Sequence, residues 1–242
     1  MEDKWYLKYK IAHRGLHSDA TPENSLLAFE EATKYGFAIE LDVRILKDGN
    51  IVVFHDDNLK RMCDRCANLS DLSIEELSDI TLKGSNEHIP LLQEVLDLVD
   101  NKVPIMIELK PEKDCKAFAE KVYEILKKYN GRYAVKSFDP RPLIWFRKNA
   151  PKVPRGMLSS DFKNIYVPWF KKVLVKNLFL YNSVKPNFIS YDYRALPSKL
   201  ISSKKVPVLA WTIRSKMQEE RALQYANTVI FENYIPSSIF NF

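Results

Sequence analysis

The feature that most constrains the fold is a regular alternation of short β-rich runs with helical patterns along the 242 residues. Such alternation is typical of parallel βα units. The turn signal Asp48-Gly49 supplies the positive φ of a tight hairpin, so the run after it, Ile51–Phe54, is predicted to return antiparallel. Eight other runs remain as parallel strands: Lys10–His13, Phe37–Val43, Val103–Leu109, Tyr133–Ser137, Val153–Leu158, Asn187–Tyr191, Val206–Trp211 and Thr228–Phe231.

Helical patterns fill the intervals between these strands. The pattern Glu23–Tyr35 follows Pro22 and stops at Gly36, and this placement of proline and glycine is typical of helix ends. Four more helices are predicted at Leu91–Val99, Lys113–Lys128, Pro140–Asn149 and Ser215–Ala226. Eight parallel strands with helices between them predict a TIM (β/α)8 barrel. A doubly wound open sheet is the alternative, which the lack of a glycine-rich phosphate loop disfavours.

Residues 56–90 do not follow the strand–helix rhythm. This stretch is long and mixed, and it holds a capping-box pattern from Ser73 to Glu76. We interpret it as a small inserted subdomain after the hairpin. The chain is therefore predicted to be one barrel domain over residues 1–242.

Composition excludes several classes of protein. Hydrophobic residues make up 46% and charged residues 28%, which is typical of a globular chain and not of a disordered one or a coiled coil. No apolar run approaches the roughly 18 residues of a membrane span. The charged start, Met1–Trp5, lacks the apolar core of a secretion signal, so a cytoplasmic location is predicted.

The cysteine pattern also favours a reducing compartment. Cys63, Cys66 and Cys115 are an odd number, which disfavours a disulfide scaffold. Cys63 and Cys66 form a CxxC without a second pair. Its two interpretations are a zinc or redox motif and ordinary cysteines, and the second is favoured.

Charge is divided unevenly along the chain. Residues 1–100 carry a net charge of −9 and residues 101–242 a net charge of +15. The basic part suits an anionic partner, although no nucleic-acid-binding motif is found and no nucleic acid is expected. The segment 162–191 combines lysines with aromatic residues. It is interpreted as barrel helices with lysines outward, with contact to a membrane surface as the less favoured alternative.

Ionisable residues cluster at the predicted carboxyl ends of strands, where TIM barrels place their active sites. Glu40 and Asp42 share one strand face, and Glu108 lies at the end of another strand. Three converging carboxylates would repel one another without a cation. They predict one hard divalent cation, Ca²⁺ or Mg²⁺, with Mn²⁺ as a further candidate.

Four cationic or titratable side chains accompany these carboxylates. His13 and His55 are suited to general acid and general base catalysis. Arg14 offers a fork and Lys110 a point charge for phosphate oxygens. Each residue alone would more often be structural, but the combination points to cleavage of a phosphodiester.

A series of motifs then resembles the glycerophosphodiester phosphodiesterase family over nearly the whole chain. The series is His13-Arg14-Gly15, Pro22-Glu23-Asn24-Ser25, Glu40-Leu41-Asp42 and His55-Asp56, in this order. The resemblance implies a TIM barrel with an insertion after the His-Asp motif. It also implies a role for each site residue. His13 and His55 are the acid and base, and Arg14 and Lys110 contact the phosphate. The ligands of one divalent cation are Glu40, Asp42 and Glu108.

Two further residues have alternative interpretations. Asn24 either supports the site or lies in the first turn of a helix, and Trp211 lines either the substrate pocket or the core. Two segments depart from the family pattern, namely Lys60–Cys63 and the stretch that begins at Phe231-Glu232. These departures bear on substrate specificity.

The function expected from the resemblance is metal-dependent hydrolysis of a glycerophosphodiester, such as glycerophosphocholine or glycerophosphoethanolamine, to glycerol 3-phosphate and an alcohol. The alternatives are hydrolysis of acylated substrates in the manner of a lysophospholipase D, and binding of a phosphoryl ligand without turnover.

Overall fold

Nine strands form one sheet in a computed structural model, which describes residues 4–161 and 178–240. They are β1 (Ile11–Ala12), β2 (Ala38–Ile45), β3 (Ile51–Val53), β4 (Ile105–Leu109), β5 (Tyr133–Ser137), β6 (Arg155–Ser159), β7 (Phe188–Asp192), β8 (Val208–Ile213) and β9 (Thr228–Phe231). All strands except β3 are parallel, and β1 pairs with both β2 and β9. The ring is therefore closed, so the predicted TIM barrel is confirmed and the open sheet is wrong.

Helices lie on the connections between the barrel strands. They are α1 (Leu26–Tyr35), α2 (Lys60–Cys63), α3 (Ile74–Leu77), α4 (Leu92–Val99), α5 (Cys115–Leu126), α6 (Pro140–Asn149), α7 (Tyr181–Val184), α8 (Lys199–Ser203) and α9 (Lys216–Leu223). The predicted bounds of α6 are confirmed, and those of α4 differ by one residue. Within the described ranges, every helix is too short or too polar to cross a bilayer.

The start of α1 differs from the predicted start at Glu23. Asn24 has a φ of 57°, in the left-handed region, so the helix cannot include it. Ser25 is the N-cap instead, and its Oγ accepts a hydrogen bond from the Ala28 N–H at 3.1 Å. The interpretation of Asn24 as a first-turn helix residue is therefore wrong.

The predicted hairpin is confirmed, because β3 pairs antiparallel with the end of β2. Gly49 adopts a φ of 88° in the turn between these strands. The predicted capping box is also present, with Glu76 Oε2 accepting from the Ser73 N–H at 2.7 Å. Residues 56–90 pack over the hairpin around a small apolar cluster, which includes Phe54, Leu59 and Leu77. That residues 56–90 form an inserted subdomain remains a proposal.

The barrel separates two apolar cores. Outward side chains such as Ile39 and Leu41 pack against the helices in a large cluster. Inward side chains at the amino ends of the strands form a second cluster with Trp5 and Tyr6: Ile11, Ala38, Met106, Ala134, Phe188, Leu209 and Ile230. This second cluster, here called the interior plug, closes one end of the barrel, so inward residues beyond it face the other end.

Candidate active site

The inner face of the barrel changes from apolar to charged along single strands. Because side chains alternate, Glu40 and Asp42 follow Ala38 on one face of β2, and Glu108 follows Met106 on β4. One carboxylate oxygen from each of these three acids lies within 4.8 Å of the others. All three side chains are buried. The structure thus brings together the three acids that the sequence analysis predicts as metal ligands.

Two buried lysines counter the charge of this acidic cluster. Lys110 Nζ lies 2.8 Å from Glu108 Oε1 and 3.4 Å from Asp42 Oδ1. Lys136 Nζ lies 2.8 Å from Glu40 Oε1 and 3.4 Å from Glu108 Oε2. Burial would raise the pKa of Glu108, but the charges of Lys110 and Lys136 outweigh it and lower this pKa.

Asp42 has the strongest set of partners in the cluster. Burial would raise the pKa of its carboxyl, but Lys110 and Arg14 hold that pKa well below its ordinary value. Asn24 Nδ2 donates to Asp42 Oδ2 at 3.0 Å, and Asn24 Oδ1 accepts from the Asp42 N–H at 3.3 Å. Asn24 therefore orients this carboxylate, which is the supporting position that the sequence left open.

A tight turn after β1 places Arg14 over the acids. Arg14 and Gly15 have φ values of 56° and 81°, and a Cβ on Gly15 would lie 2.8 Å from Ala28, so only glycine fits. The Arg14 N–H donates to Glu40 Oε2 at 3.0 Å, and its Nε lies 3.2 Å from Asp42 Oδ2. The guanidinium carries five N–H donors, so these contacts leave capacity for a phosphate.

His13 sits between two acids. Its Nε2 lies 4.0 Å from Glu40 Oε2, on the side of the acidic cluster, and its Nδ1 contacts Glu232 Oε2. Glu232 follows β9 directly, and its other oxygen, Oε1, accepts from Arg214 Nε at 2.7 Å. The carboxylate therefore fixes the proton of His13 on Nδ1 and leaves Nε2 to face the cluster.

His55 is arranged in the same way at the end of the hairpin. Its Nδ1 lies 2.6 Å from Asp56 Oδ1. Burial lowers the pKa of His55 below its ordinary value of 6.5, and Lys110 and Arg14 lower it further against the opposing charge of Asp42. These effects favour the neutral ring, which is the form that a general base requires.

An arginine of the insertion ties several of these groups together. Arg61, on α2, donates from Nε to Asp56 Oδ2 at 2.7 Å and from Nη2 to Glu23 Oε1 at 2.7 Å. Glu23 also accepts from Arg14 Nη1 at 2.6 Å. Arg61 thus connects the carboxylates that hold Arg14 and His55.

Trp211 lies on the inner face of β8, two residues beyond Leu209 of the interior plug. Its ring is half-buried and meets Phe138 edge-on with centroids 5.7 Å apart. Its buried Nε1 makes no hydrogen bond within the described ranges. Trp211 therefore packs on the mouth side of the plug, which suits a pocket wall above the core.

Sequence reasoning did not assign several of these residues. Lys136 stands at an inward position of an otherwise largely apolar strand, and that position was a usable signal. Glu232 was noted only as a departure from the family pattern. Glu23 was noted only within a family motif and Arg61 only within a departing segment, and their mutual contact joins residues 38 positions apart.

Cys63 of the CxxC is not an activated thiol. Cys63, Cys66 and Cys115 are all free, and Cys66 is exposed. Burial raises the pKa of Cys63 to about 11, which opposes formation of the reactive thiolate. Among the described residues, the clusters able to hold a metal ion contain no cysteine.

The acidic cluster fits an oxygen-binding divalent cation. Its donors are hard carboxylate oxygens from two neighbouring strands, as Ca²⁺ and Mg²⁺ prefer. The two lysines partly balance the negative charge of the three carboxylates, and each lies 2.8 Å from a carboxylate oxygen of the cluster. The arrangement can therefore hold a cation close to His13 and Arg14.

Comparison with known proteins finds a matching family model and several similar proteins. The model of the Glycerophosphoryl diester phosphodiesterase family matches residues 13–236. A glycerophosphodiester phosphodiesterase from Caldanaerobacter subterraneus is 30% identical over 227 residues, which cover 88% of this chain and 89% of that protein. A human lysophospholipase D is 37% identical over 138 residues, or 52% of this chain and 43% of that protein.

A similar fold is found among solved structures. An Oleispira antarctica phosphodiesterase, in complex with the product sn-glycerol-3-phosphate, superposes with a TM-score of 0.78. The two chains are 24% identical, and the match covers 95% of each. This likeness supports the barrel fold over 95% of the chain.

Proposed function

Because the chain belongs to the glycerophosphoryl diester phosphodiesterase family, we propose that its barrel mouth hydrolyses glycerophosphodiesters to glycerol 3-phosphate and an alcohol. Substrates of this class include glycerophosphocholine and glycerophosphoethanolamine. The observation that carries the proposal is the convergence of three buried carboxylates with His13 at one end of the barrel. The product bound to the Oleispira antarctica phosphodiesterase is of the same class.

Glu40, Asp42 and Glu108 would hold one divalent cation in this reaction. We propose Mg²⁺ or Ca²⁺, with Mn²⁺ as a further candidate, because all the donors are carboxylate oxygens. When bound, such an ion supplies positive charge to the phosphoryl oxygens as negative charge develops on them. Asn24 would keep the Asp42 carboxylate oriented toward the ion.

His13 and His55 would transfer the protons. One imidazole removes a proton from the nucleophile, which is water or the glycerol hydroxyl of the substrate itself, and the other protonates the leaving alcohol. The lowered pKa of His55 suits it to the first task. Both rings are held through Nδ1 by a carboxylate, Glu232 for His13 and Asp56 for His55, so each Nε2 is the reactive atom.

Arg14 and Lys110 would contact the phosphoryl oxygens. Each already touches the acidic cluster, and each has more N–H donors than the contacts use. Trp211 would form one wall of the pocket, because its half-buried ring lies on the inner face above the plug.

A lysophospholipase D-like reaction would use the same groups on a substrate that keeps an acyl chain. The human relative of that name supports keeping this alternative. Residues 162–177 of the segment 162–191 lie outside the described residues. In the remainder, Phe179 is 71% exposed, whereas Leu178 and Val184 are buried. Membrane contact through this segment stays the less favoured proposal, and no nucleic-acid partner is proposed.

We also propose a cytoplasmic location, because the three cysteines are free thiols and a reducing compartment keeps them so. Labelling of these thiols in fractionated cells checks this. A fully oxidised protein in an extracellular fraction would contradict it.

The activity is tested by glycerol 3-phosphate release from glycerophosphocholine and glycerophosphoethanolamine. The assays contain EDTA, Mg²⁺, Ca²⁺ or Mn²⁺, and they compare wild type with His13→Ala. His88→Ala is the matched control, because His88 lies on the surface beside Glu94 at 3.2 Å. Cation-dependent release that His13→Ala alone loses supports the proposal. Lysophosphatidylcholine is assayed in parallel by choline release, because its other product would be lysophosphatidic acid and not glycerol 3-phosphate. Hydrolysis of this acylated substrate alone would favour the alternative, and no hydrolysis of any of the three diesters would contradict both.

A further inference from the structure

A second cluster of metal-ligating atoms lies on the other side of His13. One ring nitrogen each from His13 and His17 and one carboxylate oxygen of Glu232 lie within 4.8 Å of one another. His13 Nδ1 contacts Glu232 Oε2, and His17 Nε2 lies 3.6 Å from the same oxygen. The acidic cluster lies beyond the opposite ring atom of His13, Nε2.

His17 supplies the observation that points to a ligand. Its Nε2 is buried, and within residues 4–161 and 178–240 its polar neighbour is Glu232 Oε2 at 3.6 Å, which is beyond ordinary hydrogen-bond length. A buried polar atom without an ordinary hydrogen bond costs free energy, and a bound ion between the two atoms would offset that cost. The side chains of His13, His17 and Glu232 are 14%, 15% and 10% exposed, so an ion can reach them from solvent.

The three residues are held by structures around them. The Glu232 N–H donates to the Ile213 carbonyl at 2.9 Å, and Arg214 occupies Glu232 Oε1, which turns Oε2 toward the two imidazoles. The loop that carries His17 is fixed on both sides, by Leu16 N–H to the Ala28 carbonyl and by Ser18 N–H to the Thr21 carbonyl, each at 2.9 Å. Glu232 and the loop of His17 are therefore held in place, and a bound metal would replace the hydrogen bond between His13 Nδ1 and Glu232 Oε2.

The geometry points to a second cation site, formed by His13, His17 and Glu232, for a divalent transition metal such as Zn²⁺. Two imidazoles and one carboxylate are a donor set that zinc accepts, with an open fourth position for water. Donors around tetrahedral zinc are roughly 3.4 Å apart, and the 3.6 Å between His17 Nε2 and Glu232 Oε2 is close to this. Mg²⁺ and Ca²⁺ prefer oxygen donors and so belong in the acidic cluster instead.

Occupation of this site would inhibit the enzyme. A neutral imidazole that binds metal through Nδ1 carries its proton on Nε2 and has no lone pair for another. His13 could then neither accept a proton nor act as an imidazolium acid. This inhibition rests on the role proposed for His13, whereas the binding itself does not.

The binding is tested by visible absorption of Co²⁺ added to the protein in excess Mg²⁺, which keeps the acidic cluster occupied. Wild type should show the intense bands of four-coordinate cobalt at one ion per chain, and Zn²⁺ should displace them. His17→Gln should bind Co²⁺ at least about tenfold more weakly, whereas His88→Gln should bind like wild type. Thermal unfolding verifies that both variants are folded.

Two results would overturn the site: no four-coordinate bands in wild type, or the same bands in His17→Gln. The inhibition is read separately as glycerol 3-phosphate release in excess Mg²⁺ with added Zn²⁺. Release should fall at least about tenfold in wild type and much less in His17→Gln. Zinc binding that leaves wild-type release unchanged would keep the site and contradict the role of His13, so the two failures are distinguishable.

Discussion

The two ends of the barrel interior are built on the same strands but carry opposite chemistry. At the amino ends, Met106 and Phe188 belong to the apolar plug, and the rings of Tyr6 and Phe188 lie 4.9 Å apart. Two residues beyond Met106 on the same face, Glu108 belongs to a cluster of buried charges. The plug stabilises the fold by burying apolar surface, whereas the charges at the mouth require partners to be buried at all.

This contrast teaches that a single alternating pattern can encode a core and a site. The strand register sets which residues face inward, and the distance along the strand sets their role. Substitutions at the two ends should therefore differ in what they change: turnover at the mouth, and stability at the plug.

The largest expected effect is at the mouth. His13→Ala and His55→Ala should each lower kcat by about 10²–10⁴-fold, because each removes one proton-transfer group. Melting temperatures should stay near wild type, because neither ring belongs to an apolar cluster. Steady-state kinetics and calorimetry on the same preparations measure this, with His88→Ala as the control. Turnover within a few-fold of wild type for either variant would refute its assigned role.

The opposite outcome is expected at the plug. Phe188→Ala should lower the free energy of unfolding by about 3–5 kcal/mol, because it leaves a cavity in a closed apolar cluster. The folded fraction should keep its kcat within a few-fold. Urea unfolding gives the loss, and Phe179→Ala, at a 71% exposed position, is the control expected to change little. A loss of turnover without a loss of stability would break the division between the two ends.

Acid should remove the stabilisation that the ion pairs at the mouth contribute, and it should leave the contribution of the plug unchanged. The folded pKa values of Asp42 and Glu108 lie below their ordinary values, so their stabilisation is present above about pH 4.5 and is lost as pH falls through the folded values. Urea unfolding in EDTA from about pH 7 to pH 3 measures the slope.

Lys136→Met sharpens this test. Removal of the ammonium lets the pKa of Glu108 rise toward its ordinary value, so the acid slope should become shallower. Phe188→Ala should shift the whole curve down and keep its slope. Parallel slopes in wild type and Lys136→Met would show that the ion pairs do not cause the acid sensitivity.

The smallest effect is expected at the boundary between the two ends. Trp211→Leu should raise KM for glycerophosphocholine by a few-fold, which is about 1 kcal/mol of lost aromatic contact. Trp211→Phe should retain most of the affinity. An unchanged KM together with a stability loss as large as that of Phe188→Ala would place Trp211 in the core and not in the pocket.

The sequence predicts the strands and their order well because period-two alternation and turn residues are local signals. Asp48-Gly49 predicted the hairpin, and the pattern from Ser73 to Glu76 predicted the capping box; both are present. The predicted start of α1 was wrong because Asn24 adopts a left-handed conformation. In this conformation its side chain forms hydrogen bonds with Asp42, which is 18 residues away. Local propensity carries no information about such a contact.

The candidate site follows the same division. His13 and Glu108 were predicted because each stands at the end of a strand, where barrel geometry makes the side chains converge, and Glu40 because it shares a strand face with Asp42. The partners that orient them could not be predicted in the same way. Glu232 meets His13 across 219 residues, and Arg61 reaches Glu23 from the insertion. Only the closed fold places these groups together.

The central claim is that one cation at the acidic cluster supports hydrolysis at the mouth. The most direct measurement is a calorimetric Mg²⁺ titration of cation-free protein, with glycerol 3-phosphate release followed over the same concentrations. Wild type should bind one ion per chain, and release should rise with occupancy. Folded Asp42→Asn should lose both. Release that persists in EDTA, or a binding curve that Asp42→Asn leaves unchanged, would contradict the account.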